Sequence, residues 1–146
     1  MAKTAHHGDL QIVNFTVDNI HYGVPVEQVR EVRDMQAVTP VPGSPPYVEG
    51  VTNLRGQVIT VVDLRKRLGL SGGSGAAAGK IMIIDNDKSA VGVVVDSVTE
   101  VSTLKEGDVE RNSEVTAALG DFIMGVGKQS DHLSLILDVS KIVAKK

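Results

Sequence analysis

Cysteine and tryptophan are absent from the 146-residue sequence, and aromatic residues make up 3% of it, two Phe and two Tyr. Without cysteine there is no disulfide, no thiolate metal site and no cysteine nucleophile. So few rings argue against base-stacking platforms, and a net charge of −3 gives no pull towards polyanions, so no nucleic-acid partner is expected. No run approaches the roughly 20 apolar residues that a membrane helix needs, so no membrane insertion is expected. The opening MAKTAHHGDLQ lacks the apolar stretch of a signal peptide. The chain reads as soluble and cytoplasmic.

What the sequence does have is valine, within a hydrophobic fraction of 42%, and β-branched side chains suit strands. It also says nearly the same thing twice. YGVPVEQVREV (Tyr22 to Val32) lies against VGVVVDSVTEV (Val91 to Val101), matching Gly23 to Gly92, Val29 to Val98, Glu31 to Glu100 and Val32 to Val101. Further on, Tyr47 matches Phe122, Gly50 matches Gly125 and Asp63 matches Asp138. Each half reads as hairpins followed by a short helix with an aspartate N-cap. The strands are LQIVNFTV, IHYGVPV, EVRDMQAV, VEGVTNL and QVITVV in the first half. In the second they are KIMIID, AVGVVVD, SVTEVSTL, DFIMGVG and HLSLILD. Asp18-Asn19 and Arg55-Gly56 are turn signals, and PVPGSPP and SGGSGAAAGK are loops. The expectation is an all-β chain of twinned small barrels or a sandwich. Residues 1–9 form a flexible tail and 10–146 a single domain of two lobes, with one repeat per barrel.

The candidates for chemistry fall short. GAAAGKI (Gly75 to Ile81) has three residues between its glycines instead of four, and no Ser or Thr after the Lys of a phosphate loop. DNDKS (Asp85 to Ser89) lacks the Gly and closing Glu of a calcium loop. His6-His7, His21 and His132 form no metal-ligand pattern and read as solvated side chains. No nucleophile, base and orienter stand together, so the chain is expected to bind rather than catalyse, with no cofactor and no metal. A cleft between lobes and exposed strand edges are the natural docking places, and two lobes offer two faces.

GVTNLRGQVITVVDLRKRLGL (Gly50 to Leu70) resembles the signature of the CheW family of bacterial chemotaxis coupling proteins. NLRG, a strand, DLR and a short basic helix come in the family's order and spacing. The resemblance extends from about Leu10 to about Val143; Thr60 departs from it, standing where the family often has proline. It implies two intertwined five-stranded SH3-like barrels and no enzyme activity. It implies two partners: the regulatory domain of the histidine kinase CheA, and the cytoplasmic tip of methyl-accepting chemoreceptors, bound in the groove between the lobes. Carried over by position, the receptor-binding residues are Val29, Glu31, Gly50, Arg55, Ile81, Gly92 and Val101. The resemblance marks no kinase-binding patch residue by residue. Core packing serves equally for Val29, Ile81 and Val101, backbone conformation for Gly50 and Gly92, and a solvated charge for Glu31 and Arg55. Three other readings stay open: the kinase's own regulatory domain, a CheW-like scaffold in a non-flagellar motility or other two-component pathway, and a small-molecule-binding barrel.

Overall fold

A computed structural model describes residues 9–70, 79–86, 89–111, 114 and 120–142. The chain opens with β1 (Leu10–Val17) and β2 (Ile20–Pro25). Asp18 and Asn19 between them have φ of 57° and 65°, left-handed conformations that Asp and Asn adopt at low cost and that match the twist of a tight hairpin. Pro25, at φ −56°, leads into a 3-10 turn over Val26–Gln28 and then β3 (Val29–Asp34). This strand starts two residues before the predicted EVRDMQAV and stops four short of its end. Beyond it the chain crosses to the next hairpin, where Thr39 N–H donates to the Val51 carbonyl at 2.8 Å and Val51 N–H returns a bond at 2.9 Å.

The hairpin β4 (Val48–Leu54) and β5 (Gln57–Asp63) turns on Arg55 and Gly56, at φ 53° and 86°. The Asn53 side-chain oxygen accepts from Gly56 N–H at 2.8 Å and holds this turn. Asp63 accepts from Arg65 N–H at 3.0 Å and caps α1 (Leu64–Arg67). The pattern then restarts with β6 (Lys80–Asn86), β7 (Ser89–Val95), β8 (Ser97–Leu104), a 3-10 turn, β9 (Val109–Glu110), β10 (Ile123–Lys128), β11 (Leu133–Leu137) and α2 (Val139–Ile142). Asp138 accepts from Ser140 N–H at 3.1 Å, as a cap parallel to Asp63. The N-terminal tail, His6-His7 and the glycine-alanine loop lie outside the described residues.

The chain forms a six-stranded sheet ordered β8-β1-β2-β11-β10-β9 and a five-stranded sheet ordered β3-β6-β7-β5-β4. These are the intertwined barrels that the resemblance implies, except that the two-residue β9 gives one of them a sixth strand. One expectation is corrected: the barrels are not one repeat each. The first barrel takes β1 and β2 from the first repeat and β8 to β11 from the second. The second barrel takes β3 to β5 from the first repeat and β6 and β7 from the second. Each repeat hands its opening hairpin to the other's barrel. The exchange is sealed by two parallel pairs, β2 with β11 and β5 with β7. The main core lies between the barrels and draws on both sheets and both helices: Phe15, Val17, Val24, Leu64, Met82, Val95, Leu137 and Ile142 are buried together.

The matched residues do matching work. A side chain at Gly23 meets Ile12 of the neighbouring strand at 2.6 Å, and one at Gly92 meets Ile81 at 2.9 Å. In both barrels the glycine leaves room for an isoleucine across the ladder. Asp63 N–H donates to the Tyr47 carbonyl and Asp138 N–H to the Phe122 carbonyl, both at 2.8 Å. The Arg67 guanidinium lies 4.1 Å from the Tyr47 ring centre and 4.9 Å from that of Phe122, so one cation contacts both matched rings. It also donates to the carbonyls of Lys141 and Ile142 at the end of α2, at 3.0 and 2.9 Å. His21 and His132 are not isolated solvated side chains: their rings stack at 4.1 Å across the β2–β11 seam.

Candidate partner-binding site

Among the described strands β3 and β4 end one sheet, and β8 and β9 the other. An open groove of about 440 Å³ runs along β3 and is lined by Glu31, Val32, Arg33, Asp34, Met35 and Gln36. Side chains alternate across a strand, so Glu31 and Arg33 share one face of β3 while Val32, 39% exposed, stands on the other.

The β4–β5 turn sends one side chain to Glu31 at the end of this groove. Its left-handed apex projects Arg55 so that one guanidinium nitrogen donates to Glu31 Oε1 at 3.1 Å and the other to Oε2. Arg33 adds a contact to the same carboxylate at 3.3 Å. The hydrogen bond from Arg55 holds the Glu31 carboxyl below its usual range, with Arg33 working the same way, and Glu31 in turn raises Arg55. Both are charged at neutral pH. The result is a fixed, exposed fork of two arginines about one carboxylate, a surface that offers directed donors to a partner.

The other carried-over residues separate into two groups. Val29 is half-buried against the main core, and Val101, on β8 opposite Val13, is 56% exposed. Ile81 is 1% exposed, inside the second barrel, and packs over Gly92. Gly50, at φ +147°, lies so close to the Thr39 carbonyl that a Cβ there comes within 2.1 Å of its oxygen. Glu31 and Arg55 are thus brought together, Ile81 and Gly92 form a second pair beneath the surface, and Gly50 secures the segment from β3 to β4. Sequence reasoning passed over Arg33. Its signal was the alternation of VREVRD, which puts it on the Glu31 face.

Among the described residues no three His, Cys, Asp or Glu side chains gather as metal ligands, and no helix is long and apolar enough to cross a membrane. The family model described as "CheW-like domain" matches residues 11–146. The chain is 36% identical over 140 residues to the chemotaxis protein CheW of Bacillus subtilis, covering 95% of this chain and 89% of that one. It is 30% identical over 141 residues to CheW of Treponema pallidum, covering 93% and 83%. Protein FrzA of Myxococcus xanthus is 28% identical over 131 residues, covering 88% and 82%. The crystal structure of the scaffolding protein TtCheW from Thermoanaerobacter tengcongensis superposes with a TM-score of 0.85 at 31% identity, covering 94% of this chain and 95% of that one. With its paired barrels, its exposed Glu31–Arg55 fork and these likenesses over nearly its whole length, the chain belongs to the CheW family.

Proposed function

We propose that this protein is a chemotaxis coupling scaffold that joins receptors to the histidine kinase CheA by binding alone, without catalysis. The observation that carries the reading is the match to CheW proteins along nearly the whole chain, both barrels included. The two-barrel build supports it, since each barrel offers its own outer surface to a separate partner. The receptor's cytoplasmic tip docks in the groove between the barrels. Glu31 and Arg55 supply polar contacts from the β3 side and Val101 an apolar one from β8, with Val29 at the start of β3, while Gly50, Ile81 and Gly92 hold the shape beneath. The kinase's regulatory domain takes a different face. The protein works in the cytoplasm, recruited to receptor arrays.

A pull-down of a soluble receptor-tip fragment and of the kinase regulatory domain tests this. Both should be retained by the purified protein, separately and together. Retention of neither overturns the reading, and so does a robust hydrolytic turnover that disappears with one point substitution.

A further inference from the structure

The chain crosses between the barrels at two matched places, and the two crossings are built differently. The first, from β2 to β3, runs through Pro25 and the 3-10 turn over Val26–Gln28, which Val29 N–H closes by donating to the Val26 carbonyl. Backbone restraint fixes it, and Glu27 at its centre is exposed. The second, from β7 to β8, is Asp96 alone, the residue that matches Glu27. Here side chains do the holding. One nitrogen of the Arg65 guanidinium donates to the two Asp96 carboxylate oxygens at 3.1 and 3.0 Å, and Asp18 N–H donates to the same carboxylate at 2.7 Å. Asp96 N–H itself donates to the Thr16 carbonyl at 2.9 Å. The other terminal nitrogen of Arg65 meets the Asp18 carboxylate at 3.1 Å. Arg65 belongs to α1, which follows the second barrel's β5, and Asp18 to the first barrel's β1–β2 turn. One guanidinium therefore ties both barrels to the crossing. The residue that matches Arg65 is Ser140, whose hydroxyl stays on its own helix and donates to Asp138. The Arg65 side chain is 13% exposed against 66% for Arg55, so salt screens this contact less.

We infer that Arg65 is a positioning residue for the groove between the barrels: by holding Asp96 it fixes the direction in which β8 leaves the second barrel, and so the spacing of Val101 from Glu31 and Arg55. The main core already holds the barrels together, with Leu64 and Val95 on either side of this contact buried in it. Apolar contact is non-directional, though, whereas a guanidinium fork fixes the carboxylates that it meets. The inference rests on the proposed receptor reading and adds what sets the width of the receptor site. Without Arg65, the Asp18 and Asp96 side chains are open enough to water for solvent to take its place, at 47% and 34% exposed. The fold then survives while the crossing loosens.

The chain has no cysteine, so spin labels on cysteines introduced at the exposed Asp34 of β3 and Thr103 of β8 report the spacing by pulsed electron spin resonance. Distances are measured in labelled wild type, Arg65→Met, Asp96→Asn and Asp18→Asn. The unlabelled proteins are titrated with a receptor-tip fragment and with the kinase regulatory domain, and melted. Arg65→Met and Asp96→Asn should broaden or displace the single wild-type distance. A groove that holds the bound spacing about a tenth of the time binds about tenfold more weakly, and both should weaken receptor binding by that factor. Kinase-domain binding and cooperative melting should stay. Asp18→Asn leaves Arg65 on Asp96 and should keep the wild-type distance and affinity. The wild-type distance in Arg65→Met overturns the inference, whatever the affinity does. A changed distance with unchanged receptor affinity overturns it too, and in both cases the coupling reading stands. An equal loss for the kinase domain, with a melting transition that is no longer cooperative, makes Arg65 structural and overturns the inference. No receptor binding by wild type sinks the coupling reading itself, while the distances still decide whether Arg65 sets the spacing.

Discussion

Inside the second barrel Leu54, Ile59 and Ile83 are buried together. The matching positions of the first barrel hold Gln129, Ser134 and Asn14. Gln129 donates to Asn14 Oδ1 at 2.9 Å and to Ser134 at 2.7 Å, while Asn14 donates to Ser102 at 2.7 Å and to the Glu100 carbonyl at 3.1 Å. Asn14 is 2% exposed and Ser134 is fully buried, so at these two residues no solvent replaces a missing partner. One topology thus tolerates either interior, provided the polar one is closed on itself. The apolar interior is non-directional. The polar one fixes the β10–β11 turn, because Gln129 sits in that turn and reaches across to β1 and β8.

The comparison breaks most completely if the exchange of hairpins is undone. Residues 1–70 and 79–146 expressed apart divide both barrels, since each barrel uses strands from both pieces. Each piece should be unfolded or aggregated alone, and mixing should restore sheet structure by circular dichroism. Two pieces that each melt cooperatively alone would falsify the exchange.

The interiors are next. Ile83→Asn places an amide where no partner waits and removes apolar contact, for a loss of about 4 kcal/mol in urea unfolding. Asn14→Ala in the other barrel strands the groups that it served, for about 2 kcal/mol. Equal losses would mean that the polar interior is as costly to open as the apolar one. The matched glycines sharpen the same contrast. Gly50→Ala forces a side chain against the Thr39 carbonyl at a backbone angle that L residues rarely adopt, and should lose about 3 kcal/mol. Gly125→Ala meets the Glu110 carbonyl at 3.3 Å without that angle, and should lose about 1 kcal/mol.

The surface gives the smallest change in stability. Arg55→Glu, which loses the Glu31 pair, should lower the melting temperature only slightly at neutral pH and weaken receptor-tip binding between tenfold and a hundredfold by titration, with kinase-domain binding retained. Acid should act on the same pair. The Glu31 carboxyl is lowered in the folded state by Arg55. Its contribution is therefore complete above the ordinary carboxylate range and is lost as pH falls through the lowered value. Wild type and Arg55→Gln should converge in stability only at that acidic end, as read from melting curves against pH.

Much of this was legible in the sequence. β1 and β4 span LQIVNFTV and VEGVTNL as read, because alternating apolar residues between strong turn signals leave little choice. The capping aspartates were equally plain. The hairpin exchange was not: matching residues show that two units are alike, and say nothing of whose strands pair with whose. Arg55 and Glu31 were both singled out, yet their pairing depends on a left-handed turn folding over a strand 24 residues earlier. Ile81 shows the opposite difficulty, since an apolar strand residue reads the same whether it faces a partner or a core. The interior network had one signal, a lone Asn14 in an apolar strand. The serines and glutamine that satisfy it lie far along the chain and carry no pattern.

The exchange of hairpins also orders events in time. β3 to β7 are consecutive, so the second barrel has all its strands once Val95 has been made. The first barrel pairs β1 with β8 and β2 with β11, so its opening hairpin has no partner until β8 is made and stays open on its β2 side until the last strand arrives. At synthesis rates of roughly 5–20 residues per second, that hairpin waits for seconds with apolar residues uncovered. Nucleation should therefore fall to the contiguous barrel, and the ends of the chain should close last, over a long loop that makes completion slow.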